Sequence, residues 1–317
     1  VIEEFGTVQV NMNLTNFRET PVHTVFDACV EEATDLGLRV TGSEIVGLVP
    51  LQAMLDAGRH YLEKMNKSAG VPESELVETA IRSMGLRDVT DFDPQEKIIE
   101  YRLRREEGLR TLSIRDFADE LSSESPAPGG GSVAALCGSM AAALAAMVPN
   151  LSVLWRDPKA ERDTMSRIAE QAQNHKDWFV LAIDADTDAF TKVIEANRMP
   201  SGTDAEKKAK AEALKQANRG ATLVPLDVLE RTLPVFELAR EAAEKGNPNS
   251  LSDAGVAGLC ALAGAKAAYY NVVINLNGIE GDQDWVAETR DRALKALASA
   301  EKRAASLESM VRERLGA

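Results

Sequence analysis

Asp186 lies in the middle of an otherwise apolar helical row, where a carboxylate is unusual. The row follows a three-four spacing, and its other members are Met165, Ile168, Ala172, His175, Phe179, Ile183, Phe190 and Val193. A carboxylate on a buried face has to be paired, hydrogen-bonded or neutral. Asp186 is therefore a structural buried acid or a catalytic acid or base, and we favour the second because perturbed carboxylates gather at functional sites. We interpret His175 as a packed histidine.

Two more aspartates flank Asp186 on the same predicted helix. Asp184 and Asp188 are four residues apart and fall on roughly the opposite face. One interpretation is a solvated acidic face, on which Asp188 pairs with Lys192 one helical turn away. The alternative is a functional role beside Asp186, and the residue types alone leave this choice open.

A loop rich in proline and glycine opens a second candidate site. Residues 125–132 read Ser-Pro-Ala-Pro-Gly-Gly-Gly-Ser, and the alanine-rich, uncharged stretch after them predicts a helix through residue 148. A helix N-terminus favours an anion, so Gly129, Gly130, Gly131 and Ser132 are candidate ligand-binding residues. No lysine follows the glycines and no strand precedes them, which excludes a nucleotide phosphate loop and a dinucleotide fingerprint.

A second charge-poor stretch, residues 254–279, also carries polar candidates. Asp253 precedes it, as a first-turn acid or as a functional carboxylate. Asn271 and Asn275 are one turn apart in an apolar run, so they either make interhelical hydrogen bonds or recognise a heterocycle. Lys266 is the one charge in the stretch, and it either extends its ammonium group to solvent or holds an anion.

A helical scaffold is expected to position these candidates. Helices are predicted at 114–121, 133–148, 157 to about 197, and from the Thr203–Glu206 capping box onward, with breaks or kinks at Pro225 and Pro234. Two more are predicted from 250 or 252 to 279 and over 284–314. Two charge-poor helices among amphipathic ones predict a bundle with a central pair. The small residues Ala134, Gly138 and Ala142 form a stripe that lets another helix approach closely, within the chain or between subunits.

The first third of the chain has a different pattern. Apolar and polar residues alternate over 8–14, which is typical of a half-buried strand, and two more strands are expected at 38–46 and 98–103. Helices are expected at 22–36, 51–62 and 73–84. The predicted organisation is an α+β N-terminal subdomain (1–104), a polar linker (105–112) and an all-α helical bundle (113–317).

The composition argues against several partners and chemistries. The net charge of −14 disfavours nucleic acid and anionic membranes as main partners. Three widely spaced cysteines predict reduced thiols in the cytoplasm, and three histidines without metal-ligand spacing argue against a metal enzyme. The uncharged helix after the glycine loop is interpreted as a buried bundle helix and not as a membrane span. Because Val1 is not a methionine, we expect a fragment or a processed piece.

Several of these stretches together resemble the formimidoyltransferase–cyclodeaminase family of folate enzymes. Residues from 113 to about 317 look like the cyclodeaminase domain; the similar stretches are 127–134, 184–190, 198–200, 246–247, 252–253 and 270–276. The first region is similar to the C-terminal subdomain of the formimidoyltransferase at residues 13–14, 21–23, 42–50 and 98–101. The family's N-terminal transferase subdomain, with its catalytic histidine, would lie upstream of Val1. Glutamate formimidoyltransferase activity is therefore not expected from this chain alone.

The resemblance implies that 5-formimidoyltetrahydrofolate is converted to 5,10-methenyltetrahydrofolate and ammonia, within histidine degradation and one-carbon metabolism. For this reaction we assign Asp186 as the acid–base group, with Asp184 and Asp253 as assisting catalytic residues. Asn271 and Asn275 would read the pterin edge. The glycine loop, residues 129–132, would bind a carboxylate of the folate's glutamate tail, and Lys266 is a further substrate-binding candidate.

The resemblance also implies a tetrahydrofolate derivative as substrate, polyglutamylated or not, no metal, and a homodimer or higher homo-oligomer with a site shared across a dimer. The competing interpretation is a non-catalytic helical bundle that assembles or holds folate. Convergence of the glycine loop, Asp186 and Asp253 on one cavity would favour the enzyme. Their dispersal would favour the scaffold.

Overall fold

The chain divides into two compact units, Val1–Arg105 and Glu106–Ala317. The structure is a computed structural model that describes residues 8–104, 107–153, 159–279 and 281–316. Residues 105 and 106 of the predicted linker lie outside the described residues, whereas 107–112 belong to the second unit.

Helices dominate the described part of the first unit. They are α1 (Val22–Asp35), α2 (Leu51–Lys64), α3 (Glu73–Ser83), α4 (Pro94–Lys97) and α5 (Ile99–Leu103). The three helices predicted from periodicity are thereby confirmed. Helices α2 and α3 pack so closely that a Cβ atom at Gly58 would lie 2.2 Å from the backbone oxygen of Leu76. This approach lets Met54 and Ile81 become fully buried.

The predicted α+β character of this unit is wrong for its described residues. Their regular strand pairing is a single parallel bridge between Val49 and Ile98, and residues 8–14 and 38–46 are irregular. Alternation shows which side chains suit a sheet, but a strand also needs a neighbour for its hydrogen bonds. Residues 99–103 are helical, and the Glu100 carboxylate accepts a 2.6 Å hydrogen bond from the Leu51 N–H, one of the free donors at the start of α2.

Helix α1 is attached to α2 by a polar cluster around one aspartate. Over its whole described length α1 has no buried residue. The Asp27 carboxylate lies 2.7 Å from His60 Nε2, 3.2 Å from the Tyr61 hydroxyl and 2.8 Å from Lys64 Nζ. Burial raises the pKa of Asp27, but hydrogen bonds from Lys64 and His60 outweigh burial and hold that pKa below its ordinary value. Asp27 therefore links the two helices as a carboxylate.

The second unit is the predicted all-α bundle. Its helices are α6 (Ile114–Leu121), α7 (Gly130–Val153), α8 (Lys159–Arg198), α9 (Asp204–Lys245), α10 (Leu251–Asn277) and α11 (Gln283–Leu315). The two charge-poor helices, α7 and α10, pack against each other at the centre, with α8 and α9 beside them. This arrangement confirms the central pair expected from the sequence.

Small residues let the central helices approach closely. A Cβ atom at Gly138 would lie 2.6 Å from the ring of Phe179 on α8, and one at Gly264 would lie 3.0 Å from the Ala134 oxygen. The stripe of Ala134, Gly138 and Ala142 therefore makes the predicted close contacts within the chain. Alanine and glycine leave room for large side chains such as Phe179 and Phe236, which are almost fully buried.

Among the residues that the structure describes, two helical segments are long and apolar enough to cross a membrane by length and composition alone. They are Gly130–Val153 and Pro248–Asn277. The bundle buries 61% of the most apolar window of the first and 39% of that of the second. Since a core helix meets the same criteria, the hydropathy of α7 is accounted for by its place in the core.

Candidate active site

The first turn of α7, which follows the glycine loop, packs directly against Asp186 of α8. A Cβ atom at Gly131 would lie 2.0 Å from Asp186 Oδ1 and 2.3 Å from its Cγ, so the carboxylate occupies the space that a side chain would need. The Ser132 hydroxyl lies 3.5 Å from Asp186 Oδ2 and donates a 2.9 Å hydrogen bond to the Ile183 oxygen. The sequence therefore needs glycine at 131 because a carboxylate packs there.

Asp186 is placed where its protonation is perturbed. Burial raises the pKa of its carboxyl group, and hydrogen bonds from the backbone N–H and the hydroxyl of Ser132 offset part of that rise. The net effect is a carboxyl that holds its proton at higher pH than an exposed aspartate does. Such a group can accept and return a proton near neutrality more readily than an ordinary surface acid.

The side chain of Asn271, on α10, lies next to the same glycine loop. A Cβ atom at Gly130 would lie 3.1 Å from Asn271 Nδ2. That nitrogen donates a 2.8 Å hydrogen bond to the Ala267 oxygen in its own helix, which leaves Oδ1 and the second N–H of the amide for a ligand. A Cβ atom at Gly129 would meet no described atom within 4 Å. The loop thus presents open space next to a closely packed pair of glycines.

Asp184 is held in a different set of contacts. Its carboxylate pairs with the Arg110 guanidinium and accepts a 2.7 Å hydrogen bond from the Leu109 N–H. The turn at 109–111 is thereby fixed to α8, and the Asp184 side chain is 13% exposed. Its assisting catalytic role stays a prediction. The contacts with Arg110 and Leu109 are sufficient to explain why this acid is buried. Sequence reasoning missed Arg110, which lay in the predicted linker.

The fold does not bring Asp253 or Lys266 to Asp186 within one chain. Helices α7 and α10 are antiparallel, because Gly264 lies beside Ala134 and Asn271 lies beside Gly130. Asp253 precedes Asn271 by 18 residues on one helix, a distance of about 27 Å. Lys266 points to α11, where its Nζ lies 3.1 Å from Glu301 Oε1. Of the three features expected to converge, the glycine loop and Asp186 meet, and Asp253 lies at the opposite end of the bundle.

Asn275 has a structural partner that explains its burial. Its Nδ2 donates a 2.8 Å hydrogen bond to the Ala221 oxygen of α9. That oxygen lacks its usual helical donor, because the residue four positions on is Pro225, which has no N–H. α9 continues through Pro225 and Pro234 as one helix, so the breaks expected there do not occur. Of the two amides assigned to the pterin, Asn271 is the one that faces the loop.

Asn275→Ala is expected to lower the free energy of unfolding by about 1–3 kcal/mol, because the Ala221 oxygen would lose its donor while remaining buried. In a Pro225→Ala background the new N–H can bond to that oxygen, so the same substitution should have a smaller effect. Urea unfolding of the four proteins in this cycle measures the difference. Asn277→Ala, on the exposed end of α10, is the control. Equal effects in both backgrounds would show that the hydrogen bond does not stabilise α9.

Two family models match the chain, one over each unit. The model described as Formiminotransferase-cyclodeaminase matches residues 113–295, and the one described as Formiminotransferase domain matches residues 1–104. Each match lies within one of the two compact units.

Curated proteins and a solved structure extend the comparison. The chain is 37% identical to a formimidoyltransferase-cyclodeaminase of Mus musculus over 89% of its own length, and it spans about half of that relative, 52%. It is 38% identical to a methenyltetrahydrofolate cyclohydrolase of Methylorubrum extorquens, covering 58% of this chain and 88% of that protein.

The crystal structure of a formiminotetrahydrofolate cyclodeaminase from Thermotoga maritima superimposes with a TM-score of 0.55 at 28% identity, covering 66% of this chain and 98% of that one. The helical unit therefore has the architecture of that solved protein. Since the first family model alone matches more than half of the 317 residues, the chain belongs to the formiminotransferase-cyclodeaminase family.

Proposed function

We propose that the helical unit is a formimidoyltetrahydrofolate cyclodeaminase, an ammonia-lyase that forms 5,10-methenyltetrahydrofolate. The observation that carries this proposal is the Asp186 carboxyl, whose pKa is raised by burial, packed against the first turn of α7 at Gly131 and Ser132. Family membership and the likeness to the Thermotoga cyclodeaminase support it. The alternative of a non-catalytic bundle leaves this buried acid beside a glycine loop without a purpose.

The reaction requires two proton transfers at one carbon. N10 of the folate attacks the formimidoyl carbon, a new N10–C bond forms, and N10 then gives up its proton. The former imine nitrogen enters the reaction protonated, as the amidinium =NH2⁺, and accepts the proton from N10 as its third hydrogen. Its bond to carbon then breaks, and it leaves as ammonia while the N5–C double bond forms and the positive charge stays on the methenyl product. Asp186 takes the proton from N10 as a carboxylate and gives it to the departing nitrogen as a carboxylic acid. A raised pKa suits a group that must hold both states during each turnover.

Substrate binding is assigned to the groups around this carboxyl. The open space at Gly129 and the N-terminal amides of α7 suit one carboxylate of the glutamate tail, free or within a polyglutamate. We assign the pterin edge to Asn271, because its amide lies beside Gly130 of the loop. Asn275 is left out of this role because its side chain is directed to α9, where its Nδ2 donates to the Ala221 oxygen.

The proposal is tested by mixing the purified chain with 5-formimidoyltetrahydrofolate. Absorbance reports the methenyl product, and a coupled assay reports ammonia. We expect both products in equal amounts, above the uncatalysed rate. Folate binding without either product would favour the folate-holding bundle.

A second candidate is supported by one comparison. The Methylorubrum methenyltetrahydrofolate cyclohydrolase is 38% identical over 58% of this chain, against 37% over 89% for the mouse relative. Its substrate is the product of the proposed reaction, and water would attack the same carbon that N10 attacks. The same absorbance trace separates the two activities: a methenyl signal that accumulates supports cyclodeamination alone, and a signal that rises and then decays faster than in the absence of protein supports both.

We place this activity in the cytoplasm, with the charge of −14 and the free thiols at Cys29, Cys137 and Cys260 as support. The same negative charge disfavours nucleic acid and anionic membranes as partners. The proposed steps use proton transfers by side chains and invoke no metal.

A further inference from the structure

Phe190 is a large aromatic side chain that is exposed one helical turn after Asp186. It continues the apolar row of α8. The large apolar members of that row before Asp186 are at most 4% exposed: Met165, Ile168, Phe179 and Ile183. Phe190 itself is 39% exposed. One exposed apolar residue is ordinary on a protein surface, so the surroundings of Phe190 decide whether it has a function.

The row becomes exposed because α7, the helix that covers it, begins opposite Asp186. Gly138 packs against Phe179 and Gly131 packs against Asp186, so seven residues along α7 match seven along α8 in the reverse direction. By this register, position 190 lies opposite residue 127, which precedes the start of α7. The helix that buries Phe179 therefore does not extend over Phe190.

The ring of Phe190 has no aromatic partner among the residues that the structure describes, since none of their ring–ring contacts includes it. A Cβ atom at Gly129 would meet no described atom within 4 Å, so there is open space at the start of α7. Because α7 and α8 are antiparallel, the N-terminal end of α7 points in the direction that leads from Asp186 to Phe190 along α8. The free N–H groups of its first turn therefore face that way.

The proposed substrate carries matching groups in a matching order. N10, which attacks the formimidoyl carbon, is bonded to the benzene ring of a p-aminobenzoyl group, and the glutamate is attached on the opposite side of that ring. We infer that Phe190 binds this p-aminobenzoyl ring, between N10 at Asp186 and the glutamate carboxylate at the first turn of α7. This inference rests on the proposed function.

The spacing and the chemistry of the ring support this occupant. One helical turn, about 6 Å, separates Asp186 from Phe190, and a benzene ring with its two para substituents covers a similar length. Two aromatic rings attract each other in offset or edge-to-face arrangements, beyond the burial of their surfaces. The pterin ring that contains N5 is reduced in tetrahydrofolate and is not aromatic, and the pterin edge is assigned to Asn271 on α10. The p-aminobenzoyl ring is therefore the better partner for Phe190.

Binding of the fragment p-aminobenzoylglutamate, measured by calorimetry, tests this contact without any turnover. Phe190→Leu keeps an apolar side chain but removes the ring, so binding should weaken about 2–10-fold, and Phe190→Ala should weaken it further. Phe190→Tyr retains the ring and should bind like the wild type. The KM for 5-formimidoyltetrahydrofolate should rise by the same factors with little change in kcat, because the contact is made equally in the substrate complex and in the transition state.

Leu181→Ala is the matched control, because Leu181 is 57% exposed on the same helix but lies on a different face from Phe190. It should leave the dissociation constant and KM unchanged. Since both side chains are exposed, the unfolding midpoint in urea should stay near the wild-type value in all of these variants. The inference would be overturned if Phe190→Ala bound the fragment as tightly as the wild type, if the wild type did not bind the fragment, or if Phe190→Ala weakened only the binding of a tetrahydropterin without the p-aminobenzoyl group.

Phe190→Trp provides an optical readout at the same position. A p-aminobenzoyl ring packed against the new indole should quench its fluorescence beyond any change seen in the wild-type protein. If the fragment binds through Phe190 but the wild type forms no methenyl product, the proposed function fails and this contact stands. If the wild type forms methenyl product and ammonia while the Phe190 variants bind and turn over normally, this contact alone is wrong.

Discussion

Asp186→Asn is expected to lower the rate of methenyl formation by about 10²–10⁴-fold, the usual contribution of a general acid or base. Asparagine has the shape of aspartate and still accepts the hydrogen bond from the Ser132 N–H, so the packing against Gly131 is retained. The substitution removes the ability to take up and return a proton and changes little else. The measurement is kcat from the absorbance assay, with ammonia determined in parallel.

Asp188→Asn is the matched control, because Asp188 is exposed on the same helix two residues away and should tolerate the change. The pH profile adds a second readout. Burial raises the pKa of Asp186 above its ordinary value of 3.8. The limb of the pH–rate profile that Asp186 controls should therefore lie at higher pH than it would for an exposed aspartate. That limb should vanish in Asp186→Asn and persist in Asp188→Asn. Near-full turnover by Asp186→Asn would remove the acid–base assignment.

The buried carboxyl of Asp186 was predictable because local sequence is enough to identify it. A charged residue in an apolar row of helical spacing marks a buried acid wherever the row packs, and Asp186 is such a residue. The glycine loop was predictable for the same reason, since glycine and proline before an alanine-rich run indicate a helix start. Neither pattern shows that Gly131 and Asp186 touch, because that contact joins residues 55 positions apart.

The contacts that the sequence did not reveal depend on distant partners. Asp184 is engaged by Arg110, and Asn275 is engaged by an oxygen that Pro225 leaves free. In both cases the partner is more than 45 residues away, so no local pattern shows that the polar group is already satisfied. The strand predictions failed for a related reason. Alternation in residues 8–14 describes side chains, whereas a strand exists only when another segment supplies hydrogen bonds.

Gly131→Ala is expected to abolish most of the activity while changing stability little. Alanine is favoured over glycine in a helix by about 1 kcal/mol, which would stabilise α7 if the site were open. At Gly131, however, the new Cβ would lie 2.0 Å, 2.3 Å and 2.4 Å from Oδ1, Cγ and Oδ2 of Asp186. Rotating the carboxyl group about its Cβ–Cγ bond moves the two oxygens but leaves the 2.3 Å contact with Cγ unchanged, so the whole side chain has to move.

The effects of Gly131→Ala on stability and on activity are expected to differ in size. Overpacking costs about 1–3 kcal/mol, and the gain in helix propensity offsets part of it, so the unfolding midpoint in urea should shift only slightly. Activity has no such compensation, because a carboxylate displaced by about 1 Å no longer reaches the reacting nitrogen, and misplacement of that size can lower a rate about 100-fold. Gly220→Ala is the matched control, since Gly220 is a helical glycine of α9 outside the loop and a Cβ there meets no described atom within 4 Å. If Gly131→Ala kept the wild-type rate and pH profile, the contact between the loop and Asp186 would have no part in catalysis; if both glycine variants lost activity equally, the loss would not come from the position of Asp186.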